Sequence, residues 1–227
     1  METCQWIIAN NPHYTASRPA YSRQAAASLA RFPIDTAWFQ NPLLIDSLHG
    51  LRHLYRTAYF CMRLLEHTGT LDSEDSDLII VAALLHDIQR LDDKADEGHA
   101  SRSALWVISN LPRLSQTWNL KLNAEHIAKI EAVIALHETP YNSFSPEQQH
   151  LYTQHKSLVD ILKTADALDR YRLPKLTWWP DDKHLALIPP KELKQEAYQL
   201  VAASELSFLK GVGSGDSVIN ITKGHHA

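Results

Sequence analysis

An uninterrupted run of eight apolar residues covers positions 78–85 and is followed directly by His86 and Asp87. A run this apolar predicts a buried helix, which we place at residues 78–90. Burying an imidazole and a carboxylate at its end is costly unless the two groups are paired or bind a metal. The pattern therefore predicts either a satisfied polar cluster or a metal site at this point of the chain.

Apolar residues at helical spacing predict further helices on both sides of this run. The predicted ranges are 21–31, 48–67, 100–110, 124–137, 146–171 and 191–209. We expect a break near His155, and we expect Pro112 and Pro140 to end the helices before them, because proline removes a helical hydrogen bond. No alternating strand pattern competes with these helices, so the predicted fold is all-α.

The two ends of the chain have a different pattern. Residues 1–47 carry four prolines, and apart from the helix at 21–31 they are expected to form irregular covering structure. The Gly- and Ser-rich segment that begins residues 211–227 predicts a flexible tail. We therefore expect one domain over residues 1–210.

Composition narrows the class of protein. Glycine is scarce, with seven residues, and the formal net charge of −4 gives no support for binding long nucleic acid or a membrane surface. Cys4 and Cys61 have no metal-binding or redox spacing, which indicates a reducing cytoplasm without disulfides. No segment reaches the ~18 apolar residues of a membrane helix, and the N-terminus lacks a signal-peptide pattern.

Several other helices bring imidazoles, carboxylates and cations that could reach His86 and Asp87. These residues are His49, His53 and Arg56 on one helix face, His99 at the start of a helix, His137 at the end of another, and Lys163, Asp166, Asp169 and Arg170 on one side of a third. Mixed imidazole and carboxylate ligands suit Zn, Mn, Fe, Ni or Co better than a calcium-type oxygen cage. Five other histidines lie in polar surroundings that predict surface positions: His67, His126, His150, His155 and His184.

The segments HGLRHLYR, LLHDIQR and TADALDR, in this order, resemble the signatures of the HD superfamily of metal-dependent phosphohydrolases. The DDxxDExH segment before Ser101 is similar to that of a small bacterial subgroup. The resemblance covers residues 48–172 and implies an HD-domain helical bundle, here with helical or irregular extensions at both ends. Gln89 departs from the family, in which many members carry glycine at this position.

The resemblance implies a ligand set residue by residue. His53, His86, Asp87 and Asp166 would hold the first metal. His99 and His137 lie where binuclear members place ligands for a second metal, which Asp87 would bridge. The implied cofactor is a divalent transition metal (Mn, Ni, Co, Zn or Fe), with one or two ions per chain. Without the resemblance, His99 and His137 could equally be helix-terminal histidines outside any site.

The implied chemistry is phosphoester hydrolysis. A metal lowers the pKa of bound water from about 15.7 to roughly 7 and so supplies hydroxide near neutral pH. The residues expected to take part in catalysis are Asp87, Arg56, Lys163, Arg90 and His49, with His49 either as a proton shuttle or as a hydrogen-bond partner of a metal ligand. The residues expected to contact substrate are Arg56, Arg90, Lys163, Asp169 and Arg170. Arg56 could instead anchor two helices by a salt bridge, and Asp169 could instead orient a ligand histidine.

The expected substrate is a nucleotide or a related small phosphoester, because the acidic net charge favours a small molecule over long nucleic acid. A monoester, a cyclic or linear diester and a pyrophosphate all stay open, as do a monomer and a homo-oligomer. Two other classes are compatible with the same residues: a diiron oxygenase on this scaffold, and a non-catalytic nucleotide-binding regulatory domain. Trp178 and Trp179 are expected to pack in the core, with base stacking as the alternative.

Overall fold

The structure is a computed structural model that describes residues 2–14, 21–69 and 73–224. These residues contain helices and no strand, which confirms the all-α prediction. The α-helices are α1 (Glu2–Ala9), α2 (Arg23–Leu29), α3 (Leu51–Thr68), α4 (Ser73–Leu85), α5 (His99–Trp118), α6 (Ala124–Leu136), α7 (Pro146–Asp169), α8 (Lys191–Leu209) and α9 (Ser214–Thr222). None of the helices in the described part of the chain is long and apolar enough to span a bilayer.

Helix α3 lies at the centre of the fold, where it packs against α2, α4, α7, α8 and α9. It begins at Gly50 and ends at Gly69, whose left-handed backbone (φ 67°) closes the helix in the conformation that glycine adopts most easily. Nearly all of α3 is buried, including Tyr59 and Phe60. Burial on all sides identifies α3 as the core element on which the other helices assemble.

The apolar run at residues 78–85 is buried throughout, as predicted, but α4 ends at Leu85, before the His86–Asp87 pair. The prediction that the helix continues to residue 90 is therefore wrong. The backbone turns after Leu85, and the Gln89 side chain supports this turn by donating its amide to the Trp38 carbonyl (2.9 Å). The side chains of His86 and Asp87 thus emerge from a turn and not from a continuous helix.

Helix α5 continues through Pro112 to Trp118, which corrects the prediction that it ends at residue 110. The extension is stabilised by tertiary contacts, because Leu114 and Trp118 are buried and the Trp118 ring packs edge-on against Phe32 and Trp38. These contacts outweigh the one helical hydrogen bond that proline removes.

Both chain ends are more ordered than their composition predicts. Helix α1 lies within the segment expected to be irregular, and α9 lies within the segment expected to be a flexible tail. Helix α9 packs on α3 and α8 and buries Val218 and Ile221. Ser214 at its first position accepts a hydrogen bond from the Arg52 guanidinium (2.8 Å). The tail prediction is therefore wrong for residues 214–222, and residues 225–227 lie outside the described part of the chain.

The remaining helices lie close to their predicted ranges. Helix α7 has a kink at His155 (φ −121°, ψ 22°), where a break was expected. His126 is a further correction, because it is buried and its ring takes part in the capping box at the start of α6. The local exchange of hydrogen bonds with Asn123 helps to make this position compatible with burial.

Candidate metal centre

Six candidate ligand side chains from five elements converge beneath one cavity, and Asp87, His99, His137 and Asp166 line it. The six are His53 on α3, His86 and Asp87 in the turn after α4, His99 at the start of α5, His137 after α6, and Asp166 in the last turn of α7. All except Asp166 are buried. Each lies at or near a helix end, where a side chain can point away from the packed core without creating a cavity there.

His53, His86 and Asp166 form one group whose ligating atoms are close enough to share an ion. The Nε2 atoms of His53 and His86 are 3.1 Å apart, and His53 Nε2 lies 3.5 Å from Asp166 Oδ1. Asp87 adds a second carboxylate here, with its Oδ2 atom 3.5 Å from His53 Nε2. The four residues thus form the set that was predicted for the first metal.

The other oxygen of Asp87 faces a second group of imidazoles. Its Oδ1 atom lies 3.1 Å from His99 Nε2 and 3.5 Å from His137 Nε2, and these two Nε2 atoms are 3.1 Å apart. His86, Asp87 and His137 also satisfy the distances needed for a shared ion. Asp87 therefore lies between the two groups, where a carboxylate that bridges two metals would lie.

The outer nitrogen of each imidazole contacts an acceptor, which orients the ring. His86 Nδ1 donates to the Ala83 carbonyl (2.8 Å), and His137 Nδ1 donates to the Ile134 carbonyl (2.7 Å). His53 Nδ1 donates to the Asp169 carboxylate (2.7 Å). His99 Nδ1 has two acceptors at 2.7 Å, the Asp96 carbonyl and the Glu138 carboxylate. Because Nδ1 carries the proton in each ring, a neutral imidazole directs the lone pair of Nε2 into the cluster.

The resulting cluster fits a divalent cation. Burial lowers the pKa of His86 to about 3, so this imidazole is neutral at physiological pH. With Nδ1 as the protonated nitrogen, the Nε2 lone pairs of His53 and His86, and those of His99 and His137, face each other at 3.1 Å. Asp87 raises the pKa of His99 against the effect of burial, so a metal would displace a proton from that ring. Among the described residues, the buried Oδ1 atom of Asp87 has no hydrogen-bond partner. Electron pairs that converge without donors between them repel each other unless a cation lies there, and nitrogen with oxygen donors selects a transition metal.

The two carboxylates are ionised in this setting. Burial opposes the ionisation of Asp87, but the surrounding imidazoles outweigh it and hold its pKa well below the usual range. Burial likewise opposes the ionisation of Asp166, whereas His53 and His86 lower its pKa below the usual range. Anionic carboxylates with neutral imidazoles are the protonation states in which these residues bind metal.

The cavity above the cluster has a volume of about 1000 Å³. Four further residues predicted to take part in the site line it: His49, Arg90, Lys163 and Arg170. Arg56 and Asp169 do not line it. The cavity extends to the loop after α6 and to the segment between α7 and α8, which contribute Tyr141 and Trp179 among others.

Arg56 requires a correction. Its guanidinium is completely buried behind the ligands and contacts Asp169 (Nε to Oδ1, 2.5 Å), Glu205 (Nη1 to Oε1, 2.8 Å) and Ser204. These contacts join α3, α7 and α8, and they leave the guanidinium no path to a molecule in the cavity. The structure thus opposes the predicted catalytic and phosphate-binding roles of Arg56 and favours the alternative of a salt bridge between helices.

Asp169 requires a related correction. It is fully buried, and its two oxygens accept hydrogen bonds from His53 and from Arg56. A carboxylate engaged in this way has no access to substrate. Its position agrees with the alternative that Asp169 orients a ligand histidine, in this case His53.

The cationic side chains at the cavity wall differ in how many of their N–H donors are free to contact a substrate. Lys163 Nζ donates to the carbonyls of Leu136 (3.2 Å), His137 (2.8 Å) and Thr139 (2.6 Å) at the end of α6. Burial lowers the pKa of Lys163 to about 8. Its three donors are engaged, so Lys163 supports the backbone around His137 and offers substrate no free hydrogen.

Arg90 also makes backbone contacts. Its Nε and Nη2 atoms donate to the carbonyls of Asp92 (3.2 Å) and Lys94 (2.7 Å), and its Nη1 atom lies 3.2 Å from His99 Nε2. His49 lies at the cavity edge, where its Nδ1 contacts the Asp93 carboxylate at 2.8 Å. Burial lowers the pKa of His49, which keeps its Nε2 unprotonated near neutral pH.

Glu138 and Arg172 also line the cavity. From its position next to His137 in the sequence, Glu138 is expected to be either a solvated residue or part of the site, and the structure places it at the site. Arg172 follows the TADALDR motif without a sequence signal of its own. Trp179 packs edge-on against Trp6 and Tyr171, as expected for core packing. Trp178 does not, since its side chain is exposed outside the cavity wall.

Comparison with known proteins supports the motif order. A family model described as HD domain matches residues 50–171, more than half of the 227-residue chain. The match begins at the cap of α3 and ends just beyond α7, so it includes all six ligating residues. No curated protein and no solved structure matches the chain.

Proposed function

The chain belongs to the HD domain family, and we propose that it is a metal-dependent phosphohydrolase that cleaves a nucleotide or a related small phosphoester. The observation that carries this proposal is the convergence of four imidazoles and two carboxylates beneath an open cavity. A purely structural polar cluster would pair donors with acceptors. Here the Nε2 atoms of His53 and His86 face each other at 3.1 Å, and in the second group Arg90 Nη1 faces His99 Nε2 at 3.2 Å.

In this proposal His53, His86, Asp87 and Asp166 hold one metal, and His99 and His137 complete a second position that shares Asp87. When bound, the metal supplies hydroxide near neutral pH and neutralises charge on the phosphoryl oxygens. Asp169 and Glu138 hold the outer nitrogens of His53 and His99, so that each ring keeps its Nε2 lone pair directed inward.

The other residues of the site bind substrate and move protons. Arg170 reaches the cavity with Nη groups that make no hydrogen bond to the described residues, and it would contact the substrate. His49 would accept a proton at Nε2, which is unprotonated near neutral pH, because Asp93 occupies its Nδ1. Arg90 would provide a fixed positive charge beside His99.

The size of the cavity supports a small substrate. A volume of about 1000 Å³ lies at the upper end of what small-molecule pockets reach, so it can hold a nucleotide but not a folded nucleic acid. The wall beyond the family match, formed by residues such as Leu173, Thr177 and Leu185, closes one side.

The test begins with elemental analysis of the purified full-length chain. Nucleoside mono-, di- and triphosphates, cyclic and linear dinucleotides and pyrophosphate are then assayed with the metal that is found, and phosphate or nucleotide products are measured. We expect turnover of at least one substrate, and a loss of ~100-fold or more in the Asp87→Asn variant, since even second-layer changes cost 10–100-fold. Absence of turnover with every metal would contradict the proposal.

The same preparation separates the two alternative classes. A diiron oxygenase would retain near-stoichiometric iron after aerobic purification and give a mixed-valence EPR signal, which a Mn or Ni enzyme would not. The convergence of six ligands, enough for two ions, is the observation that keeps this class under test. A regulatory domain without catalysis would keep its biological activity in the His86→Ala and Asp87→Ala variants.

A further inference from the structure

The cavity wall contains one arginine whose guanidinium is buried but not satisfied. Arg172 is 3% exposed and lines the cavity just beyond α7. Within the described chain it makes a single hydrogen bond, from Nε to the Leu48 carbonyl (2.7 Å). Its buried Nη1 atom has no hydrogen-bond partner. A guanidinium has five N–H donors, so most of its donor capacity is unused in a place that water barely reaches.

The nearest carboxylate does not satisfy this guanidinium. Arg172 Nη1 forms an ion pair with Asp169 Oδ2 at 3.4 Å, but the geometry is not that of a hydrogen bond. That oxygen already accepts from His53 Nδ1 (2.7 Å) and Arg56 Nη2 (3.2 Å). The hydrogen bond to the Leu48 carbonyl fixes the position of Arg172. The ion pair with Asp169 neutralises its charge only in part.

The other cations of the cavity differ from Arg172 in this respect. Lys163 and Arg90 donate to backbone carbonyls, and Lys183 pairs with Asp181 in an exposed position. Arg170 also has unused Nη donors, but it is partly exposed, so solvent can satisfy them. An unsatisfied guanidinium that is also buried calls for a partner supplied from the cavity.

We infer that Arg172 receives the anionic phosphoryl group of the substrate and fixes it above the metal centre. The inference rests on the proposed function, and it names a residue that the sequence motifs do not. Arg172 lines the same cavity as Asp87 and Asp166, which places a planar donor group and the ligand cluster on one enclosed space. A phosphoryl oxygen pair matches the fork of a guanidinium and balances its charge.

The experiment measures the affinity of the metal-loaded full-length protein for inorganic phosphate by titration calorimetry. The variants are Arg172→Gln, which keeps a polar side chain without charge, and Arg172→Lys, which keeps the charge without the fork. Arg113→Gln is the matched control, because Arg113 is an exposed arginine that pairs with Asp35 far from the cavity lining. Metal content and thermal unfolding are measured for each protein.

We expect Arg172→Gln to weaken phosphate binding at least ~10-fold and Arg172→Lys to weaken it less, because one charge-assisted contact contributes on this scale. Metal content should stay at the wild-type value in both, and Arg113→Gln should bind phosphate as the wild type does. With a cleavable substrate, Arg172→Gln should raise KM while its metal content stays at the wild-type value.

Three outcomes would overturn the inference. Equal phosphate affinity in wild type and both Arg172 variants would do so, as would undetectable phosphate binding by the wild type. Loss of metal together with phosphate affinity in both variants would show that Arg172 only supports the fold. Arg172-dependent phosphate binding without turnover of any substrate would leave the inference standing and count against the proposed hydrolase alone.

Discussion

At the residue scale, the centre depends on the acceptors that hold the outer edge of each histidine. The acceptor is a backbone carbonyl for His86 and His137 and the Asp169 carboxylate for His53, whose Nδ1 also lies 3.4 Å from Thr57 Oγ1. His99 has a carboxylate as well as a carbonyl, and Glu138 also accepts from the Gly98 amide (3.1 Å). Glu138 thus joins the start of α5 to the end of α6 beside the second group of ligands.

We predict that Glu138→Gln lowers the affinity of the second metal position about 10-fold, the lower end for such residues because the Asp96 carbonyl still holds His99. The metal dissociation constants would be measured by competition with a chromophoric chelator. Glu125→Gln is the control, since Glu125 is an exposed glutamate on the same helix that pairs with Lys129. Equal metal affinities in Glu138→Gln and Glu125→Gln would show that Glu138 does not support the second metal position.

Arg56 shows how burial changes the role of a cation. It pairs with the buried Asp169 and with the partly buried Glu205. Glu205 would keep its ion pair with Arg52, but removing Arg56 would leave the buried Asp169 without its main cationic partner. Such a loss is far more costly than that of an exposed pair, because the remaining charges stay in a low-dielectric environment.

We predict that Arg56→Met lowers the free energy of unfolding by about 3–5 kcal/mol in urea denaturation. Arg31→Met, which breaks an exposed ion pair with Asp77, should cost no more than about 1 kcal/mol. If Arg56→Met were as stable as the wild type but had lost turnover, the original prediction that Arg56 contacts substrate would regain support.

At the scale of elements, the site is built where helices begin and end. The start of α3 is held close to the preceding turn: an added Cβ at Gly50 would lie 2.2 Å from the Ile45 carbonyl oxygen and 2.3 Å from that of Leu44. No other residue type allows this approach. Gly50 therefore determines the position of the first turn of α3, from which His53 extends.

We predict that Gly50→Ala lowers the free energy of unfolding by about 3 kcal/mol or more, since backbone atoms must move to admit the methyl group. Gly69→Ala at the other end of α3 has free space around it and pays only for its left-handed backbone, about 1 kcal/mol. Chemical denaturation of both variants compares them directly. Equal losses of unfolding free energy in the two variants would show that the turn before α3 accommodates a methyl group at little cost.

At the scale of the whole molecule, the six candidate ligands join α3, α5, α6, α7 and the turn after α4. Repulsion among their electron pairs opposes this arrangement in the absence of a cation. A metal that binds only the folded state therefore stabilises the entire bundle.

We predict that removing the metal with a chelator lowers the melting temperature, and that restoring it at 100 times its dissociation constant recovers about 2.7 kcal/mol. Differential scanning calorimetry measures both states. The His86→Ala variant is the control, because with this ligand removed its stability should respond little to metal. Identical melting of the wild type with and without metal would contradict a metal centre that ties the helices together.

The sequence by itself determined the helical class, the main core helices and the six candidate ligands. These are local features: apolar periodicity within a helix and short motifs at helix ends, which need no knowledge of the partner element. The resemblance of the motifs to the HD superfamily implied His53, His86, Asp87, His99, His137 and Asp166, and the structure brings all six together.

Only the tertiary structure decided which charged groups face the cavity and which serve the core. Asp169 is 116 residues from its partner His53, and Arg56 is 149 residues from Glu205, so no local pattern separates Arg56 from a phosphate ligand or reveals the unused donors of Arg172. The continuation of α5 through Pro112 and the order of α9 have the same origin. Burial against distant residues outweighs local propensity, because packing free energy depends on neighbours that the sequence does not place side by side.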